Sequence, residues 1–218
     1  MTEKEARAMQ YIRQETTIPV PRVHMSFSRD NVGYIVMDRV EGETLATASF
    51  DLTHEQLTAI ATELKGYVEQ IARLQPPNPT FGSWPSGPYF NNYFHEGKGA
   101  VALPSFKEFH AYWVKRLGPR SREVFPTSIL DNVCTEDLDV SFMHGDLNLS
   151  NIMVKDGKIV SILDWDSLGW YPRFWEMMTI RRGYMSLEWR DVVDSVFGPY
   201  PPIVSAYSEC LFYICEGM

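Results

Sequence analysis

Phe142-Met143-His144-Gly145-Asp146-Leu147-Asn148-Leu149-Ser150-Asn151-Ile152-Met153-Val154, followed by Ile162-Leu163-Asp164-Trp165-Asp166, is the stretch whose reading decides the fold of this chain. Ile152–Val154 and Ile159–Leu163 are short apolar runs on either side of Lys155-Asp156-Gly157-Lys158. Asp-Gly accepts the positive φ that a two-residue turn requires, so this is a tight hairpin. The polar residues from His144 to Asn151 therefore lie on a loop that runs into a hairpin. Asp164 stands where that hairpin returns the chain. Apolar strands beneath polar side chains hold them in a fixed geometry.

These residue types suit phosphoryl transfer, which needs few groups, polar and anionic, rigidly placed. One carboxylate must stand beside the attacking hydroxyl, and Asp146 is placed to orient that hydroxyl and accept its proton. Magnesium takes hard oxygen donors. Asn151, five residues on, offers an amide oxygen, and the hairpin brings back Asp164 as a second ligand. His144 reads as a packing and hydrogen-bonding residue. Asp166 suits either a second metal or substrate contact or a structural hydrogen bond.

Outward from this centre the chain reads as helix, hairpin, helices, small hairpin, helices. Ala6, Met9 and Ile12 form an apolar stripe on a first helix that must end before Pro19. Val20 to Phe27 and Tyr34 to Met37 are β-rich, separated by Ser28–Gly33 as a loop. Glu41-Gly42-Glu43 breaks the pattern. Thr53 with Gln56 fits a capping box opening a long helix, along which Leu57, Ile60, Ala61, Leu64, Val68, Ile71 and Leu74 recur at helical spacing until Pro76. A Gly/Pro/aromatic loop runs from Thr80 to about Pro104. Ser105 to Leu117 is a second helix with Phe106, Phe109, Trp113 and Leu117 on one side. From Phe174 two or three helices follow, divided at Gly198-Pro199. The strand content is too small for a doubly wound sheet.

His144-Gly145-Asp146, then Asn151, then Asp164-Trp165-Asp166 resembles the aminoglycoside phosphotransferase and choline-kinase-like family, within the protein-kinase-like fold. Other stretches match: Thr17-Ile18-Pro19-Val20-Pro21 after a helix bearing Glu5, and Tyr34–Gly42, similar to the last strand and hinge that contact adenine. Gly169–Glu176 is similar to the structural segment after the metal aspartate. The resemblance implies an α+β fold, the mainly helical C-lobe of a kinase-like protein with a small residual N-lobe. Residues 1–40 are then the residual N-lobe (helix C, last strands, hinge), and 41–218 the C-lobe with catalytic loop and metal-binding hairpin. It implies ATP and Mg2+ as cofactors, Asp146 as catalytic residue, and Asn151 and Asp164 as metal ligands. Met37, Asp38 and Val40 become nucleotide contacts, and His144, Asp166 and Glu5 supporting residues. The partners are a nucleotide and a small hydroxylated acceptor.

A complete kinase-like chain also carries a glycine-rich strand–turn–strand over the phosphates and a strand lysine paired with the helix-C glutamate. Both belong before Glu5, which only four residues precede. The expectation is a weakened phosphotransferase, or alternatively a kinase-like protein that binds nucleotide or metal without turnover. Lys4 is adjacent to Glu5 on a helix and is not expected to face it. The hairpin of residues 20–37 keeps an exposed edge, which predicts a homodimer.

Composition excludes other classes. A net charge of −8 with 22% charged residues argues against a nucleic-acid surface and suits a cationic acceptor. The basic groups at 115–122 and Arg181-Arg182 read as solvated faces. Cys134, Cys210 and Cys215 form no ligand pattern, and no run approaches the roughly 18 apolar residues of a membrane span, so the cytoplasm is expected. Gly97–Ala102 imitates a dinucleotide fingerprint without the preceding strand. Asn148-Leu149-Ser150 formally fits a glycosylation acceptor. The loop Trp84–Phe94, with Glu188, Asp191 and Asp194, is the expected place for acceptor contacts.

Overall fold

Thr2–Glu15 forms α1, with Ala6, Ala8, Met9 and Ile12 buried along one stripe. The chain then turns through Pro19, whose carbonyl accepts from the Ile162 amide at 2.8 Å, and enters a hairpin. The computed structural model describes residues 2–77, 79–85, 87, 103–116, 139–181, 187–198 and 202–215. Of the hairpin strands, β1 (Val23–Arg29) starts and ends later than expected from sequence, β2 (Val32–Met37) starts two residues earlier, and the turn is only Asp30-Asn31. Both turn residues have positive φ, 52° and 61°, a conformation that Asp and Asn tolerate and that hairpin turns use. The expected six-residue loop is thereby absorbed into the ladder.

Gly42, at φ 121°, lets the chain approach the Val154 carbonyl so closely that a Cβ there would collide with it. The pattern break at Glu41–Glu43 is thus in part a strand. Glu43–Thr44 (β3) pairs with Val154 and Met153, and Thr44 caps the short helix α2 (Leu45–Ala48). Thr53 opens α3 (His54–Arg73) with both arms of the capping box formed. β4 (Gly82–Ser83) and α4 (Phe106–Arg116) follow. β5 (Val140–Met143) leads into the central loop, which ends in a 3₁₀ turn, Leu149–Asn151. β6 (Ile152–Lys155) and β7 (Lys158–Ile162) are the anticipated hairpin, turning on Asp156-Gly157. A second 3₁₀ turn, Trp165–Ser167, precedes β8 (Gly169–Pro172). Helices α5 (Trp175–Arg181), α6 (Leu187–Phe197) and α7 (Pro202–Cys215) complete the chain, divided as expected at Gly198.

Among the described residues three small antiparallel sheets result, ordered β1-β2, β3-β6-β7 and β4-β8-β5, with two apolar clusters around them. One joins α1, α3, the β6–β7 hairpin and α6; the other is aromatic and joins Phe109, Trp113, Trp175 and Tyr207 of α4, α5 and α7. Successive side chains of a strand point to opposite faces, and β5 uses this alternation. Phe142 enters the first cluster and Met143 the second. The loop that begins at His144 is therefore anchored between two cores. The fingerprint-like segment, Leu117, Cys134, the basic group at 115–122, most of the loop Trp84–Phe94, and the side chains of Cys210 and Cys215 lie outside the described residues.

Candidate active site

His144 is fully buried at the end of β5, its ring 4.5 Å from that of Trp165. Nε2 lies 3.0 Å from the Leu163 carbonyl, to which it donates, and Nδ1 accepts from the Asp146 amide at 3.3 Å. Those roles define a neutral tautomer. Burial pushes its pKa down to about 4, against the opposing pull of the Leu163 carbonyl and Asp166. His144 bridges the loop and the Asp164 segment.

Gly145 has φ 88°, and a Cβ there would lie 2.6 Å from the Tyr171 hydroxyl and 2.7 Å from the Ser167 carbonyl oxygen. Its amide donates to both carboxyl oxygens of Glu176, each at 3.3 Å, and its carbonyl accepts from the Trp175 indole at 2.9 Å. Asp146 is buried among these supports, 8% exposed. The Asn148 side-chain amide donates to its Oδ1 at 3.0 Å, and Asn151 Nδ2 donates to its backbone carbonyl at 2.8 Å. With its amide nitrogen so engaged, Asn151 turns its Oδ1 away from that bond and can offer it to a cation.

Leu163 donates to the Asn151 carbonyl at 2.8 Å, which sets Asp164 beside Asn151. Asp164 is in the left-handed region, φ 61° and ψ 64°. Its carboxyl opens onto solvent on one side. Partial burial on the other, then the charges of Asp166 and Asp146, raise its pKa to about 6. Asp166 accepts from the Ser167 hydroxyl at 2.9 Å. Glu5, half-buried on α1, is raised to about 7 by burial and by Asp164 and Asp166. The structure thus gathers Glu5, His144, Asp146, Asn151, Asp164 and Asp166 into one region. Met37, Asp38 and Val40 stand at the exit of β2. There the Asp38 amide makes the last rung to Arg22, and its carboxylate meets His24 at 2.7 Å. Asp38 and Val40 line a cavity of about 350 Å³ with Arg13, Pro19 and Lys155.

A family described as "phosphotransferase enzyme family" matches residues 2–198. The chain belongs to that family. A search of the curated proteins returns no significant match. Among solved structures, a thermostable mutant of aminoglycoside phosphotransferase APH(4)-Ia, in ternary complex with ADP and hygromycin B, superposes with a TM-score of 0.67 at 15% identity; the match covers 96% of this chain and 73% of that one. Aminoglycoside-3'-phosphotransferase of type VIII gives 0.64 at 15% identity, covering 97% and 79%. The gentamicin complex of APH(2")-IIa gives 0.57 at 11% identity, covering 95% and 69%. At these identities the likeness establishes the α+β, protein-kinase-like fold.

For a phosphotransferase the donor set fits magnesium on chemical grounds. Among the described residues no three His, Cys, Asp or Glu side chains form a self-sufficient cage. Magnesium shared with phosphate oxygens and water needs only one or two carboxylates, and Asp164 with the Asn151 amide oxygen could supply that much. Three supports went unforeseen. Glu176 lay inside a segment read only as structural, and Asn148 inside a formal glycosylation triplet. Lys4, not expected to face Glu5, donates from Nζ to the Asp166 carbonyl at 2.8 Å. In the region expected for acceptor contacts, Glu188 pairs with His54 at 3.3 Å and Asp194 with Arg181 at 3.0 Å. Those acids are engaged between helices. Among the described residues no helix is long and apolar enough to cross a membrane.

Proposed function

We propose that this phosphotransferase moves the γ-phosphoryl group of ATP to a hydroxyl of a small, hydroxylated and preferably cationic acceptor. One observation carries the reading. The loop and the hairpin are tied to each other by His144 on the Leu163 carbonyl and by Leu163 on the Asn151 carbonyl, so that Asp146 and Asp164 act on one another electrostatically. The ADP, hygromycin B and gentamicin named in the neighbours' complexes support a nucleotide and a small polyhydroxylated acceptor as substrates. The net charge of −8 supports a cationic one.

In this reading Asp146 accepts the proton of the acceptor hydroxyl while Asn148 holds one carboxylate oxygen. Asn151 and Asp164 hold magnesium, which when bound neutralises charge on the phosphates. His144 keeps loop and hairpin in register, and Glu176 secures the Gly145 amide beneath Asp146. The segment Met37–Val40, where the β1–β2 ladder ends, receives the adenine edge. Among the described residues the β1–β2 sheet has two strands, and Met25 and Val32 on it are 55% and 51% exposed. Such a sheet is marginal alone, which supports edge-to-edge pairing into a homodimer. ATP and magnesium are cytoplasmic reagents, in keeping with a cytoplasmic site of action.

ATP turnover measured over a panel of aminoglycosides, amino alcohols and sugars tests this, with Asp146→Asn as the control. Removing a positioned base costs about 10²- to 10⁴-fold. Acceptor-dependent turnover that survives Asp146→Asn unchanged refutes the role of Asp146; no turnover with any acceptor favours a protein that binds without catalysis.

A further inference from the structure

Asp164 is a non-glycine residue held at φ 61° and ψ 64°. Aspartate tolerates this left-handed conformation, and contacts on either side of it fix the direction in which its carboxyl is presented. On its N-terminal side the Leu163 carbonyl is taken by His144 Nε2 at 3.0 Å, and the Ile162 carbonyl by the Trp165 indole at 2.9 Å. On its C-terminal side the Trp165 carbonyl accepts from the Leu168 amide at 3.2 Å within the turn, and the Asp166 carbonyl is held from α1. The group that fixes it is the Lys4 ammonium, at 2.8 Å, from the first turn of α1. Two clamps therefore bracket this left-handed residue, one from the loop at His144 and one from α1.

The charges in this region favour the same role. Asp164, Asp166 and Glu5 bear on one another, and Lys4 is the cation whose field meets Asp166. Lys4 and Glu5 are neighbours on α1, and their side chains leave the helix about 100° apart. The four-carbon stem of lysine lets its ammonium reach the turn even so. We propose that Lys4 is a positioning residue for the metal carboxylate: it pins the 165–167 turn so that Asp164 is presented toward the cation, and it offsets the surrounding negative charge. This role rests on the phosphotransfer reading above.

The test uses the full chain and two substitutions. Lys4→Met keeps the apolar stem and removes the donor and the charge; Lys4→Arg restores both in part. Hydrogen exchange of the 163–168 segment is followed without metal, and binding of a non-hydrolysable ATP analogue is followed by calorimetry across a magnesium series. Groups that orient metal ligands from behind are commonly worth 10- to 100-fold in metal affinity. Lys4→Met is expected to speed exchange selectively in 163–168 and to raise the half-saturating magnesium concentration about tenfold, with Lys4→Arg between it and the wild type. Unchanged exchange and an unchanged magnesium midpoint overturn the role. A lower midpoint also overturns it, because Lys4 would then compete with the cation. Faster exchange spread over the whole chain, with the midpoint unmoved, reduces Lys4 to a structural staple and overturns it as well. If the wild-type chain shows no magnesium-dependent binding, the phosphotransfer reading falls and the role of Lys4 with it. Identical binding by wild type and Lys4→Met removes the role of Lys4 alone.

Discussion

Replacing Glu176 with glutamine changes one oxygen for nitrogen beneath the catalytic loop and removes a charge from a fully buried place. In the folded chain burial raises the Glu176 carboxyl from 4.5 to about 7, against the lowering effect of its bonds from Gly145, Thr179 and His144. A carboxyl whose folded pKa lies above its unfolded value contributes stability that is complete below about 4.5 and is lost as pH rises through about 7. At about 1.4 kcal/mol per pKa unit, the loss amounts to roughly 3 kcal/mol. Glutamine keeps an oxygen for the Gly145 amide and cannot ionise, so the variant lacks this slope. Urea unfolding of both proteins at several values between pH 4.5 and 8.5 measures the difference. Asp164, Glu5 and His144 titrate in or near the same window in both proteins and cancel in the comparison. The stability of Glu176→Gln relative to wild type is expected to climb by about 2–3 kcal/mol from the acid to the alkaline end. A difference that stays flat across the range refutes the assignment of Glu176 as a buried, reluctant carboxylate.

Asn148→Ala frees one Asp146 oxygen, and kcat is expected to fall about tenfold with little change in KM, because the lost contact orients a proton acceptor rather than a substrate. Gly145→Ala meets both a positive φ and the Tyr171 hydroxyl, and should lower stability by at least about 2 kcal/mol in urea unfolding. Trp113→Ala empties a fully buried site stacked on Phe109 and set edge-on against Trp175, and is expected to cost about 3–5 kcal/mol in the same assay. Val36→Lys places charge on the exposed hairpin, and light scattering should show a dimeric wild type and a monomeric variant.

The parts of this molecule legible in the sequence are those written in local spacing. Thr53 and Gln56 announced a capping box because its two hydrogen bonds join residues three apart, and Asp156-Gly157 announced a turn because few residues accept its φ. The loop from His144 to Asn151 was legible for the same reason. β3 and β4 are two residues long, too short for any period to register. All four residues of β8 are buried, so it lacks the alternation that marks a half-exposed strand. In the candidate site, the residues proposed as ligands and base, with His144, Asp166 and Glu5, could be named from the sequence, whereas the contacts made by Glu176, Asn148 and Lys4 could not. Glu176 meets Gly145 across 31 residues and Lys4 meets Asp166 across 162. Such partnerships depend on how the α5 and α1 helices pack, which no nearby spacing encodes. The short Asp30-Asn31 turn shows the converse, since a segment rich in loop formers can be mostly strand when two of its residues accept left-handed φ.

The most direct measurement is a crystal structure of the chain with a non-hydrolysable ATP analogue and manganese in place of magnesium, located by its anomalous scattering. The account predicts a peak bridging the phosphates to the protein, within about 2.0–2.3 Å of an Asp164 carboxylate oxygen and the Asn151 amide oxygen. A metal–nucleotide complex seated elsewhere, with Asp164 and Asn151 uncoordinated, contradicts it.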